Sequence, residues 1–511
     1  MRGNMTNWVE LKRVGLVLLL FLLLSTTVPA MRWNILAGAS PGTLDVPGEY
    51  KTIQDAINNA SSGDLVFVHK GTYYENIVIN KSISLVGEDR DSTVIYGSAI
   101  SPPQVVISLI ASSVTVKDFT VRAQSSIQDP ITVSSAGNVL ENNMIEDGFN
   151  GLQLFSSYDN VVSNNTLTNN HYGGLYLYAS DHNVFSDNLI VNNLVAGVEL
   201  HSSDGNVFSG NTVYGNTNGV NLFSSSGDNV FYHNNFNNTL QLSTDTPNST
   251  NIWNFSGEGN YWSDYKGQDS EGDGIGDSPY NQTDTQGGDS YPLMGPFYDL
   301  VVGLKGQTYE ADLISNSSIS GLRFAFGEET GNKIVIFNVA GEEGTVGFSR
   351  LKIPLGLMDS PYIVLGGQGE ITPRVLSASN EANAYLYFTW VHSNQTISII
   401  SSETLRFYND LLGKYASLLA DFNNLSGTQG NFLGNYSVLL NNLSQLENMY
   451  SALNASYFEH LSNYSRSTEN LQNLIYVFAA TTAIFLIATI YLSKRANTAT
   501  KQMKATPKNE E

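Results

Sequence analysis

Four carboxylates lie close together in Asp269-Ser-Glu271-Gly-Asp273-Gly-Ile-Gly-Asp277. Calcium takes roughly six to eight oxygens at about 2.3–2.6 Å, and acids at alternate positions followed by glycines let a turning backbone wrap one ion. The run is not an EF-hand loop, because Glu271 stands at the second ligand position and Tyr280 occupies the twelfth in place of glutamate. Asp269, Glu271, Asp273 and Asp277 are therefore the candidate ligands of a structural calcium ion, with Asp264 near them.

A second set is spread along the chain. Gln153 and Phe155, Tyr176 and Tyr178, Glu199 and His201, and Asn221 and Phe223 recur at intervals of 22 or 23 residues, each pair flanking a leucine. In an alternating strand both members of each pair share the face opposite to that leucine. Flat rings beside hydrogen-bonding side chains suit a sugar chain, ring face on aromatic face. No catalytic set accompanies them. Glycoside cleavage uses two carboxylates, and Glu199 is the only acid in its column. Asp187 and Asp204 fall elsewhere in the same coil, and Asp159, Asp181, Asp204 and Asp228 recur next to an Asn-Val pair, where short acids serve turns. The two arginines between 45 and 245, Arg90 and Arg122, read as lying outside the regular coils. Copper needs converging imidazoles and thioethers. His171, His182, His201 and His233 occupy different repeat positions, and Met144 is the only methionine in the coils.

The element that must carry these columns is a repeat. Asn-Val recurs at Asn138, Asn160, Asn183, Asn206 and Asn229. Five residues after each stands another asparagine (Asn143, Asn165, Asn188, Asn211, Asn234), and two further an apolar residue (Ile145, Leu167, Ile190, Val213, Phe236). Alternating pairs follow at Leu152/Leu154, Leu175/Leu177, Val198/Leu200 and Val220/Leu222. Short period-2 segments between polar turns make one coil of a strand solenoid. Stacking at ~4.8 Å then builds an apolar interior and columns of amides bonded up and down the stack. The fold class is mainly β: a right-handed parallel β-helix of 22–23 residues per coil over 45–245, closed by an acidic segment at 246–298. Before it, a short helix from Ile53 to Ala60 can cap the open strand edges.

PGEYKTIQDAINNASSGDLVFVHKGTYYENIVINKSISLVGE (47–88) resembles the opening of pectin-lyase-like β-helix proteins, pectinesterases among them. The repeat block, together with GNYWSDYKGQDSEGDGIGDSPY (259–280) and YPLM (291–294), resembles the NosD family of exported β-helix proteins. The resemblance covers roughly 45–296 and implies the fold. It also implies two functions to test: carbohydrate chemistry on the helix face, and copper handling as in NosD.

Beyond the repeat, β-rich runs such as Lys333–Val339 and Ala384–Val391 predict a β-sandwich of about seven strands over 300–402. Residues 405–471 keep one 3/4 apolar frame from Leu411 to Tyr457, a heptad seam fitting a stalk or a helical hairpin, with oligomers as the corollary of a stalk. Leu474 to Leu492 carries no charge and is long enough for a bilayer core of ~30 Å. Lys494 and Arg495 follow it, which places the tail 493–511 in the cytoplasm. Residues 1–30 run basic, apolar, small, the order of a secretory signal. The expected topology is single-pass, with about 31–473 outside. Sequons at Asn80, Asn254, Asn316, Asn394, Asn435 and Asn454 permit a glycoprotein.

The 511 residues carry a formal charge of -22, with +2 at 1–30 and +3 at 494–511, so the middle carries -27. Such a surface repels phosphate backbones and excludes nucleic acid as a partner. Absence of cysteine excludes disulfides, thiolate metal sites and cysteine nucleophiles. The reading that follows is a membrane-anchored surface protein binding a polysaccharide or another surface protein. A carbohydrate-active enzyme (hydrolase, lyase or esterase) and a copper-handling protein are the alternatives.

Overall fold

The computed structural model describes residues 41–98, 105–245, 250–281, 288–328, 331–367, 369–401, 403–426, 432–464, 481–487, 489–490 and 494. Three parallel sheets, of nine, nine and eight strands, run along one axis and make a β-helix of about nine turns. The first sheet starts at Thr43–Val46, the second at Gly71–Tyr74 and the third at Ile77–Ile79. In the repeat block, adjacent residues on each strand alternate between core and outer face, so residues two apart share a face. In the third sheet Leu152, Leu175, Val198 and Val220 pair in one inward column, and Leu154, Leu177, Leu200 and Leu222 in the next; all are 1% exposed or less. Under the first sheet Phe185, Phe208, Phe231 and Trp253 stack at 4.7, 4.6 and 4.5 Å between centroids.

Asparagine ladders hold the corners. Asn188 Oδ1 accepts from the backbone N–H of Asn165 (3.0 Å) and from its Nδ2 (3.1 Å), while Asn188 Nδ2 donates to Asn211 Oδ1 (2.9 Å) and to the Val162 carbonyl (2.8 Å). The same pattern links Asn138, Asn160, Asn183, Asn206, Asn229 and Asn251. A third ladder, Asn170 through Asn193 and Asn216 to Asn238, was not expected from the Asn-Val pattern, although its members recur at the same spacing. Buried amides are costly unless bonded, and the stack satisfies each one with its copy in the next coil. The turn aspartates behave likewise: Asp181 Oδ1 accepts from the Asp204 N–H at 2.8 Å, and Asp204 Oδ1 from Gly227 N–H at 2.7 Å.

The helix Ile53–Asn59 covers the starting end of the stack, burying Ile53, Ala56 and Ile57. Its termini are matched in charge. Both oxygens of Glu75 accept the N–H groups of Ile53 and Gln54 (2.9 and 3.0 Å), and Lys81 Nζ donates to the carbonyls of Ile57, Asn58 and Ala60 (3.1, 2.7 and 2.7 Å). Arg122, expected outside the coils, closes the strand Thr120–Arg122 and pairs with Glu146 of the next coil. Register decides this, because the coil before the Asn-Val series already follows the same stacking.

At the other end the chain closes through short bridges, Val230↔Ile252, Tyr261↔Leu293, Ile275↔Leu293 and Tyr280↔Asp289. Asp289 is fully buried and accepts from Asn260 N–H (2.7 Å), Trp262 Nε1 (2.9 Å) and Tyr291 N–H (3.0 Å). Ten antiparallel strands between Phe297 and Ser401, more than the seven expected, form two five-stranded sheets over a common core that includes Leu313, Phe337, Leu351, Leu386 and Ile399. A junction of Ile275, Leu293, Phe297, Ile314 and Phe348 ties this unit to the β-helix. Beside it Glu258 bridges His233 (2.8 Å) and Arg350 (2.5 Å).

Helices Glu403–Ser426 and Phe432–Tyr464 follow. Seam positions Leu411, Tyr415, Leu418, Leu439, Leu443, Leu446, Tyr450 and Leu453 are half-buried, but seam Tyr436 is exposed, as are off-seam Leu412, Leu419, Val438 and Met449. Among the described residues no helix is long and apolar enough to cross a membrane. The apolar run 474–492 lies largely outside the described residues, as do 1–30 and the tail from 495 on.

Candidate functional site: the outer face of the third sheet

The strands Asn150–Phe155, Gly173–Tyr178, Ala196–His201 and Asn218–Phe223 pair in parallel. Their register places Gln153, Tyr176, Glu199 and Asn221 in one column, and Phe155, Tyr178, His201 and Phe223 in the next. All eight candidates therefore meet on one outer face. Alternation around the inward leucines puts them there.

They are not equally available. Phe155 and Tyr178 keep 45% and 43% of their surface, whereas Glu199 and Asn221 keep 1% and 2%. Glu199 points outward but is roofed. Its Oε1 accepts from Tyr172 hydroxyl (3.1 Å) and lies 2.8 Å from His201 Nε2, and its Oε2 accepts from Asn221 Nδ2 (2.8 Å). Burial first, and the neighbouring Glu199 charge second, push the Tyr172 phenol up to about 12. Burial, then Glu199, raises Tyr176 as well. The carboxylate is thus a cross-tie between the two rims of the face and makes no contact with solvent. The other rim, Phe149 stacked on Tyr172 at 5.1 Å, was missed in the sequence, although the two stand 23 residues apart in the repeat.

The rings also use up each other's faces. Phe155 and Tyr178 stack at 5.1 Å and 6°, and His201 lies over Tyr176 (5.3 Å) and against Phe223 (5.1 Å). A sugar does not fit between rings at that spacing. The expected face-on stacking along the whole ladder is therefore corrected: most of the ladder offers ring edges, and only unstacked ring faces remain for a ligand.

Only one carboxylate, Glu199, is among these candidates, so the two-carboxylate arrangement of glycoside hydrolysis is not formed by them.

The calcium candidates do not converge either. Asp269 accepts from Asp273 N–H (2.9 Å) and Gly274 N–H (2.8 Å), Asp273 from Ile275 N–H (2.9 Å), and Asp277 from Ser270 N–H (2.8 Å), a bond that holds the Asp277 carboxyl below its ordinary range. Arg374 Nη2 donates to the carbonyls of Glu271 and Gly272, so a guanidinium already serves the oxygens of this loop. Asp264 accepts from Tyr280 hydroxyl at 3.0 Å. Among the described residues no three acidic or histidine side chains are grouped to hold a metal ion. Three of the four expected calcium ligands, Asp269, Asp273 and Asp277, cap their own backbone instead of gathering around a common point.

The coil histidines weighed for copper do not come together. His201 is committed to Glu199 and His233 to Glu258, in separate parts of the molecule. His171 lies 3.3 Å from the Gly148 carbonyl, and the exposed His182 neighbours Gly205.

No curated protein matches the sequence. Solved structures resemble it at low identity. A Dettilon tailspike protein is 11% identical over 70% of this chain and 94% of its own, with a TM-score of 0.29. A periplasmic alginate epimerase is 15% identical over 41% and 53%, with a TM-score of 0.28; this chain spans about half of its length. A pectin methylesterase from Aspergillus niger is 12% identical over 43% and 86%, with a TM-score of 0.27. The parallel β-helix of about nine turns, with its asparagine ladders, is the part of the chain where a family is recognisable: residues 57–267 match the family described as periplasmic copper-binding protein (NosD).

Proposed function

We propose that this chain is a membrane-anchored surface protein whose β-helix binds a polysaccharide through the outer face of its third sheet. The observation that carries the reading is the pair of aromatic rims, Phe149–Tyr172 and Phe155–Tyr178, flanking Gln153 and Tyr176 on a rigid sheet. Exposed aromatic side chains with amide and hydroxyl groups between them are what a sugar needs from a protein surface. A packed solenoid holds them in place before binding, which lowers the entropy cost of association. The role is adhesive or structural, since the face brings together no catalytic set.

Anchoring is proposed on the uncharged run 474–492 and the basic residues after it. Helical residues 481–487 and 489–490 support it, with Ile484, Phe485, Leu486, Ile487 and Ile490 all 56–65% exposed. Residues from about 31 to 473 then face outward, and residues 1–30 direct export. A second surface protein is the other partner class. Failure of every glycan would turn the search to it.

The test is a glycan array probed with the full-length chain in detergent micelles. Binding that disappears in the Tyr176→Ala/Tyr178→Ala double variant, with its melting temperature within a few degrees of the parent, is the expected result. Binding unaffected by that variant removes the face from consideration.

A further inference from the structure

The aromatic ladder has a lower end, and that end differs from the rest. Strand Ile131–Val133 pairs with Asn150–Phe155 as Ile131↔Leu152, Thr132↔Gln153 and Val133↔Leu154, and exposed Ser134 follows Val133 as Phe155 follows Leu154. One coil further down, Ser108 pairs with Thr132. Aromatic side chains on these columns therefore stop at Phe155, and the coils below carry Thr132 and Ser108, then Val78. Among the described residues Phe155 has one ring partner, Tyr178, on its upper side. Its lower face has no ring partner, stands over a floor whose open hydroxyls are serines, Thr132 Oγ1 being buried, and belongs to a side chain 45% exposed. Ile110, 53% exposed, follows Leu109 just beyond that floor.

Charge on this sheet is as uneven as ring stacking. Its strands, from Ile77–Ile79 to Leu240–Thr244, contain no lysine and no arginine. Glu199 is its only carboxylate and is sealed under Tyr172 and His201. Recognition of uronate or sulfate groups draws on cations, which this sheet does not supply, and the chain as a whole carries -22.

Resting on the glycan-binding reading above, we infer that the ligand is an uncharged sugar unit seated at the step below Phe155. One ring of that sugar packs on the free face of Phe155, and its hydroxyls meet Ser134, Ser108 and Gln153. The seat recognises a short epitope, one or two units long, and does not run along the whole ladder.

Ser134→Phe tests this directly. It extends the ladder by one ring and covers the free face of Phe155 without touching Tyr176 or Tyr178. Phe155→Leu removes the same face while keeping an apolar side chain, and serves if the first variant misfolds. The probe is an array of uncharged oligosaccharides and uronic-acid oligosaccharides, with the full-length chain as analyte. The expected result is capture of uncharged oligosaccharides by the parent and a loss of about tenfold or more in affinity in both variants, with melting temperatures held. Unchanged binding by Ser134→Phe, together with loss in Tyr176→Ala/Tyr178→Ala, overturns the seat but leaves the glycan reading standing. Preference for uronic-acid oligosaccharides overturns the ligand class. Absence of binding to every glycan by the parent chain overturns the reading itself, and the inference with it.

Discussion

At the scale of single residues, the most consequential side chain on the face is one that no ligand touches. Glu199 has three partners drawn from three places: Tyr172 on one rim, His201 on the other, and Asn221 in the next coil. Removing one member of such a buried set leaves the others unpaired, at about 1–3 kcal/mol for each orphaned group. Glu199→Ala is therefore expected to destabilise the β-helix by at least about 2 kcal/mol in denaturant unfolding. Glu199→Gln keeps the shape and removes the charge. Since burial and then Glu199 raise the Tyr172 phenol to about 12, that variant should lower it toward the ordinary value without reaching it. An ultraviolet phenolate titration of the variant against its parent reads this, and an unmoved titration would mean that Glu199 is not charged beside Tyr172. Asn316 shows the same lesson for modification. Its Nδ2 donates to the Val346 carbonyl (2.9 Å) and its Oδ1 accepts from Phe348 N–H (2.8 Å), so a sequon readable in sequence is already committed to strand pairing.

At the scale of elements, the coil is the unit, and its asparagines are what make coils alike. Each ladder amide serves the coil on either side, so a single substitution disturbs three coils. Asn188→Ala would leave Asn165 N–H without its acceptor and take one bond each from Asn165 Nδ2 and the Val162 carbonyl. Its expected cost is about 2–4 kcal/mol, larger than that of the exposed turn change Asp159→Ala, which at a φ of 57° should stay at about 1 kcal/mol. Equal effects in equilibrium unfolding would show that the ladder adds nothing beyond a turn. The repeat made this element legible from sequence, since an Asn-Val pair every 22 or 23 residues has few other structural meanings. The acidic loop marks the limit of reading at the same scale. Alternating acids satisfy two geometries, wrapping an ion or capping a tight backbone turn, and local spacing does not separate them. Arg374, 103 residues from Glu271, donates to its carbonyl oxygen, a contact that no local spacing encodes.

At the scale of the whole molecule, the β-helix and the antiparallel unit are joined by charge as well as by apolar packing. Burial alone would raise the Glu258 carboxyl, but the His233 hydrogen bond and the Arg350 charge outweigh it and hold the group below the ordinary glutamate range. A carboxyl depressed in the folded state adds stability above its unfolded value, near 4.5, and that stability is lost as the pH falls through the folded value. The junction should therefore weaken below about pH 4.5. In Glu258→Gln the contribution is absent, so the melting temperatures of parent and variant, well separated at pH 7, should approach each other on acidification. A gap independent of pH would show that the loss is one of packing. Anchoring belongs to this scale too. The full-length chain should stay with membranes through alkaline carbonate washing, and a chain lacking 474–492 should be released; release of both would remove the anchor.

What the sequence determined by itself was whatever repeats or runs uninterrupted along the chain: the β-helix and its period, the columns that share a face, the capping helix, and the apolar stretch near the end. Those features are local or periodic, so residue types at fixed spacing are enough to specify them. Only the tertiary structure decided which members of a column are available. Tyr172 from the preceding coil and His201 from the same strand close over Glu199, Phe155 and Tyr178 take each other's faces, and Ser134 adds no ring beyond Phe155. Likewise Arg350 reaches Glu258, already paired with His233, from 92 residues away in the chain, through the docking of two units. Burial and long-range pairing depend on what is packed on top, and no spacing within a single coil encodes that.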